Sequence, residues 1–258
     1  MGDYQFIAVQ IEEHVGVVTL DNAPYNFINI DMLQELLAAM RLLDASDACR
    51  VIVIASASKV FCAGADFKSE LRKGTDLGSA SKEFYAVAMQ LFDIATPMVA
   101  AVEGAAVGAG FGLTLLADFR VCSEASTFSA NFNRLGIHPG FGMSVTLPRI
   151  VGVANAELLF YTGKRVKGVE ADRLGLVTRL VPPGQVMKAA LELAKEIALS
   201  APIAVKNTRN TLRFGLSEQV REANKREQAL QSQEVLTADF LEGVAATAER
   251  RPPVFKGA

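Results

Sequence analysis

Four short apolar runs, GVVTLD at 16–21, VIVIA at 51–55, MVAAV at 98–102 and FRVCS at 119–123, constrain this chain more than any other feature. VIVIA does not alternate with polar residues, so it reads as a strand buried on both faces. Between these runs lie stretches with helical spacing. MLQELLAAMRLLDAS places its apolar residues three and four apart and follows Asp31, which reads as its cap. A second helix is expected around 82–94, after the polar and Gly-containing stretch that follows the 56–67 loop. An earlier strand, 6–12, joins the run at 16–21 through a short turn. Strands at 98–102, 119–123 and 127–130 follow, with a short buried helix ending at Ala117. From Met143 the pattern is mostly helical, with successive helices expected at 184–200, 202–214, 217–233 and 237–250. Strand–helix alternation with a helical tail gives an α/β class. Residues 1–200 form the expected core and 201–258 a helical C-terminal region of the same structural unit.

Half of the 258 residues are hydrophobic and 21% are charged, enough for a substantial core. The formal net charge of −2 offers no broad attraction to nucleic acid or an anionic membrane. Cys49, Cys62 and Cys122 form no CxxC pair and read as reduced thiols of a cytoplasmic protein. His14 and His138 lie far apart and away from any cysteine cluster, so no metal site is expected. The opening MGDYQFIAVQ lacks the pattern of a signal peptide, and no apolar run reaches the roughly 18 residues of a membrane helix.

Two segments of small residues stand out, FCAGAD at 61–66 and EGAAVGAGFG at 103–112. Gly and Ala let a ligand approach the backbone closely, and the second segment opens a helix whose amides favour negative charge. Two free N–H groups converging there would stabilise a developing enolate oxygen. Close packing alone is the competing explanation of each turn. A dinucleotide site is excluded because Leu113 stands where the third glycine of the fingerprint should be.

The segments FCAGAD (61–66), EGAAVGAGFGL (103–113), ADFRVCSEASTFS (117–129), LGIHPGFG (135–142), RIVG (149–152), LLFYTGKRVKGVEADRLGLVTRLVP (158–182) and the terminal RRPPVFKG occur in an order and spacing that resembles the enoyl-CoA hydratase/isomerase (crotonase) superfamily along nearly the whole chain. The resemblance implies a spiral of ββα units with a helical C-terminal trimerisation region. It also implies a homo-trimer or a hexamer built as a dimer of trimers. The backbone amides of Ala65 and Ala109 match the oxyanion-hole donors. The acyl-CoA would lie near Tyr25, Phe27, Ala63, Gly64, Asp66, Phe67, Lys68, Gly108, Gly112, Phe132 and the tail at Phe255 and Lys256. No cofactor is implied beyond the coenzyme A thioester as substrate, with no nucleic acid and no membrane partner.

The resemblance also implies a departure. Hydratases of this family move protons with two glutamates, and the matching positions here are Gly112 and Phe132, neither of which titrates. Asn131 and Asn133, one residue either side, are no general bases at neutral pH. His138 is the only titratable side chain of the 135–142 loop and suits acid/base work near neutrality, or else it packs at a subunit contact or hydrogen-bonds to backbone. Glu103 is an unassigned carboxylate in the second turn. Asp66 and Asp118 read as braces of the turns, Arg134 as a surface ion pair or an anion contact, and Cys62 as an inert buried thiol. Three readings remain open: an acyl-CoA reaction other than hydration, such as decarboxylation or hydrolysis; a non-catalytic acyl-CoA binding protein; and a hydratase with an unrecognised base.

Overall fold

A computed structural model describes residues 3–66 and 76–258. The strands β1 (Ile7–Glu12), β2 (Val15–Leu20), β3 (Val51–Ser56), β4 (Met98–Val102), β6 (Phe119–Ser123) and β9 (Arg179–Val181) form one sheet in the order β1-β2-β3-β4-β6-β9. β1 and β2 are an antiparallel hairpin, and every other pair is parallel. The parallel pairs match the uninterrupted apolar runs, whose side chains are buried on both faces.

Alternation along these strands divides the core into two layers. Val15, Val17, Val51, Val53, Val99, Ala101 and Val121 point to one face, where α7 (Val186–Ala198) covers them with Val186, Ala190, Leu193 and Ala194. Val18, Leu20, Ile52, Ile54, Met98, Ala100 and Val102 point to the other face. There they meet α1 (Ile30–Asp44), which in turn packs on α2 (Leu77–Ala88), and fully burying each Val, Leu, Ile or Met side chain contributes about 1.5–3 kcal/mol. The cap of α1 is Asn29, whose side chain accepts from the Met32 N–H at 2.8 Å; Asp31 sits one step inside, in the first turn. Both residues suit a helix N-terminus, so side-chain geometry decides between them.

A smaller three-stranded sheet, β5-β7-β8, stands beside the first. β5 (Ala105–Val107) pairs in parallel with β7 (Thr127–Ser129), and β7 runs antiparallel to β8 (Arg165–Lys167). This sheet carries the second small-residue turn into α3 (Ala109–Leu116), all eight of whose residues are buried. The helices α4 (Met143–Val151), α5 (Val153–Thr162) and α6 (Gly168–Arg173) follow. Beyond α7 come α8 (Pro202–Leu212), α9 (Leu216–Glu234) and α10 (Ala238–Glu249). Arg209 and Arg213 pin α8 to Asp118, both at 2.8 Å. Among the described residues no helix is long and apolar enough to cross a membrane.

Candidate functional site

Asn26 builds the first turn. It is fully buried, with a left-handed φ of 48°, and its Nδ2 donates to Ser56 Oγ, Val60 O and Phe61 O. Its Oδ1 accepts from the Asn22 N–H. Clamped this way, residues 25–28 run parallel to residues 63–66. The Ala63 N–H donates to Tyr25 O, the Ile28 N–H to Gly64 O and the Asp66 N–H to Ile28 O, at 2.8–3.0 Å. Ile28 and Ala65 are the bridge partners, and both bonds of that bridge use the N–H and C=O of Ile28. The N–H of Ala65 therefore points to the opposite edge.

On that opposite edge lies the second turn. The Cys62 N–H donates to Ala105 O, and the Val107 N–H to Cys62 O, both at 3.0 Å, which makes Cys62 and Ala106 parallel bridge partners. Gly108 leaves the ladder at φ 54° and ψ −121°, supplies no side-chain cap, and delivers the chain into α3 at Ala109. A Cβ on Gly110 would sit 2.4 Å from Cys62 O, and one on Gly64 would sit 3.2 Å from Val107 O. Glycine is what lets the two backbones touch. Ala65 and Ala109 stand at equal offsets beyond the Cys62–Ala106 bridge, and among the described residues neither N–H has a backbone acceptor.

The adjoining wall is mixed. Asn131 Oδ1 and Phe132 Cζ lie 3.6 and 3.9 Å from where a Gly108 Cβ would be. One turn along α3, a Gly112 Cβ would fall 2.8 Å from the ring of Phe141. Phe141 is fully buried, and its left-handed φ of 65° is a strained conformation for a bulky residue. Gly140 and Gly142 flank it, tight against Tyr85 and Val220. Side chains of α9 hold this loop. Glu227 accepts from the Gly142 N–H, the Ser144 N–H and Ser144 Oγ at 2.5–3.0 Å. Burial pushes the Glu227 carboxyl up despite these three donors. Gln231 bridges Tyr85 Oη and His138 O.

The other sequence-derived candidates are distributed differently. Tyr25 and Phe27 are exposed on the rim, edge to face at 5.9 Å. Asp66 is half-buried next to Ala65. Phe67 and Lys68 lie outside the described residues. His138 is half-buried; its N–H donates to Glu234 at 2.6 Å, and its Nδ1 contacts Pro139 O at 2.7 Å. Glu103 continues the alternation of β4 onto the α7 face, where Ser123 Oγ and the Gly184 N–H donate to its two oxygens. Ala65 and Ala109 pack with the other core layer, so Glu103 is not brought to them. Phe255 and Lys256 lie in a tail folded along α10 of the same chain, where the Lys256 and Gly257 N–H groups bond the Asp239 carboxylate. Burial pushes the Cys62 thiol up to about 12, so it is no nucleophile at neutral pH. Among the described residues no three His, Cys, Asp or Glu side chains gather as a metal cluster would require.

Two structural contributors escaped the sequence reading, Asn26 and Glu227. Their roles come from partners 30 to 85 residues away along the chain, and neither belongs to a local motif.

A family model described as enoyl-CoA hydratase/isomerase matches residues 10–258. A probable enoyl-CoA hydratase of Rhizobium meliloti is 36% identical over 260 residues, covering 98% of each chain. The mitochondrial enoyl-CoA hydratase domain-containing protein 2 of Mus musculus is 35% identical and covers 87% of this chain and 78% of its own. Among solved structures, an enoyl-CoA hydratase from Bacillus anthracis superposes with a TM-score of 0.77 at 30% identity, over 98% of this chain and 100% of its own. An enoyl-CoA hydratase/isomerase from Pseudoalteromonas atlantica superposes with a TM-score of 0.87 at 27% identity, with the same coverage.

Proposed function

This chain belongs to the enoyl-CoA hydratase/isomerase family, and on that premise we propose that it binds an acyl-CoA and polarises the thioester carbonyl between the Ala65 and Ala109 N–H groups. The observation that carries this reading is the pair of amides at matched offsets beyond one bridge that have no backbone acceptor among the described residues. Backbone donors held by a rigid ladder are already oriented when charge develops on the oxygen, and one such donor is worth about 3–4 kcal/mol in a transition state. Tyr25 and Phe27 would hold the cofactor portion at the rim. The exposed apolar side chains Ile203, Leu212, Phe214, Leu236 and Leu241 of the C-terminal helices and the turns between them suit self-association, as a trimer or a dimer of trimers.

The reaction is not ordinary hydration. Adding water to a 2-enoyl thioester needs a base for the water and an acid for the α-carbon, and Gly112 and Phe132 supply neither. Decarboxylation of a malonyl-type thioester needs no base. The bond from the α-carbon to the carboxylate carbon breaks, and its electron pair becomes the enolate whose oxygen sits between the two N–H groups. Carbon dioxide leaves, and the α-carbon takes a proton from water. A non-catalytic acyl-CoA carrier is the second reading, favoured by the commitment of both Glu103 oxygens, and of the His138 backbone and Nδ1, to internal contacts.

The test is the absorbance of crotonyl-CoA with purified protein, alongside competition of the same thioester against coenzyme A. Binding without loss of the conjugated double bond is expected. Rapid loss of the double bond would overturn the non-hydratase reading, and absence of binding would overturn the acyl-CoA reading itself.

A further inference from the structure

Asn131 opens the 3-10 turn 131–135 and follows β7, whose Ser129 O accepts the Gly108 N–H at 2.9 Å. Its side chain thus stands beside the residue that precedes the free Ala109 amide, with Oδ1 3.6 Å from the Gly108 Cβ position. Asparagines at turns and helix starts ordinarily spend their amides on nearby backbone. Others in this chain do so: Asn22 donates to Phe27 O, Asn29 caps α1, and Asn155 donates to Val151 O. Asn131 makes no such cap, and among the described residues its carboxamide has no hydrogen-bond partner. It is half-buried, next to the buried ring of Phe132. An apolar wall interrupted by one uncommitted amide is how a pocket fixes the orientation of a mostly apolar ligand.

Resting on the acyl-CoA reading above, we infer that the Asn131 carboxamide is a specificity-determining contact that selects acyl groups carrying an oxygen acceptor on the β-carbon. A thioester oxygen held at the Ala109 N–H brings the next carbons of the acyl chain past Gly108 and so past Asn131. The carboxamide offers two N–H donors and no charge. It can bind a β-ketone or a β-carboxylate without the proton transfer that a glutamate would bring. Either end of the amide can face the ligand, because neither is tied down. A plain saturated chain would leave the donors unmatched.

The probes are acetoacetyl-CoA and butyryl-CoA, which have the same chain length and differ in the β-oxygen. Their dissociation constants are measured by calorimetry for the wild type, Asn131→Leu and Asn131→Asp. Leucine keeps the volume and removes all polarity; aspartate keeps the shape and acceptors but removes both donors. The wild type is expected to favour acetoacetyl-CoA. Both variants should lose that preference by about fivefold to tenfold, with butyryl-CoA affinity unchanged in Asn131→Leu. Equal losses for both thioesters, or no loss in either variant, would overturn the role of Asn131 and leave the acyl-CoA reading standing. A wild type that binds neither thioester would overturn both.

Discussion

The two ends of α3 receive opposite treatment. At its C-terminal end, Arg120 Nη1 donates to Thr114 O and Ala117 O, and Arg213 Nη1 donates to Leu116 O, so carbonyls that a buried helix end would leave orphaned are paired. At its N-terminal end, Gly108 offers no side-chain cap, and among the described residues the Ala109 N–H has no backbone acceptor. Both ends are buried, and an unpaired buried polar group costs about 1–3 kcal/mol. A fold that pairs one end of a helix this thoroughly and leaves the other open is what the proposed thioester site requires, with its unsatisfied groups available to a ligand. On the proposed acyl-CoA reading, the same contrast would let such a site outlast its acid and base. The proposed donors are backbone and survive any side-chain substitution except proline, whereas the positions that the family resemblance matches to proton-transferring glutamates are side-chain positions, here Gly112 and Phe132.

Breaking the closed end should have the largest effect. Asp118 accepts from the Met98 N–H, Arg209 Nε and Arg213 Nη1, all at 2.8 Å. Burial pushes its carboxyl up, but the two guanidiniums more than offset that and hold it below the usual carboxylate range. Asp118→Ala leaves two arginines unpaired and should cost about 3–5 kcal/mol in urea unfolding. Because the folded pKa is depressed, this stabilisation is present above the unfolded carboxylate value and lost as pH falls through the folded one. Asp118→Asn should therefore show a flatter acid limb than the wild type.

Breaking the open end should spare stability and damage function. Proline is tolerated at the first position of a helix and lacks the N–H. Ala109→Pro should lower the rate with any productive thioester by about 100- to 1,000-fold, while free coenzyme A binds as before. Equal loss of thioester and coenzyme A affinity would show that the variant disturbs the whole site and not one donor. A smaller perturbation separates the two turns. Gly110→Ala puts a methyl 2.4 Å from Cys62 O, and should cost about 1–3 kcal/mol of stability together with thioester binding.

These positions differ in how readable they were. The strands of the main sheet are plain in VIVIA and MVAAV because burial on both faces demands uninterrupted apolar residues. β5 is not, since AAV inside a Gly-rich turn becomes a strand only by pairing with Cys62 and β7. β8 and β9, three residues each, are likewise set by distant partners. The two turns were legible as small-residue motifs, and their amides could be matched to a known family. The support beneath them was not: Asn26 looks like any loop asparagine, and Glu227 like any charged residue of the polar helix α9. Phe141 gave no signal either, although its ring fills the space beside Gly112.

Glu227 gives the mildest test, on the seam that carries Phe141. Its folded pKa is raised by burial, so its contribution is full below the unfolded carboxylate value and declines as pH rises through the folded one. Glu227→Gln should remove that decline from the pH dependence of unfolding, with little change in thioester affinity.

The central claim, that two backbone amides polarise a thioester, is tested most directly by infrared difference spectroscopy of butyryl-CoA labelled with carbon-13 at the carbonyl. Bound to the wild type, the carbonyl stretch should fall below its value in water, and in Ala109→Pro it should move back toward that value. A stretch that is unchanged or raised on binding would contradict the account.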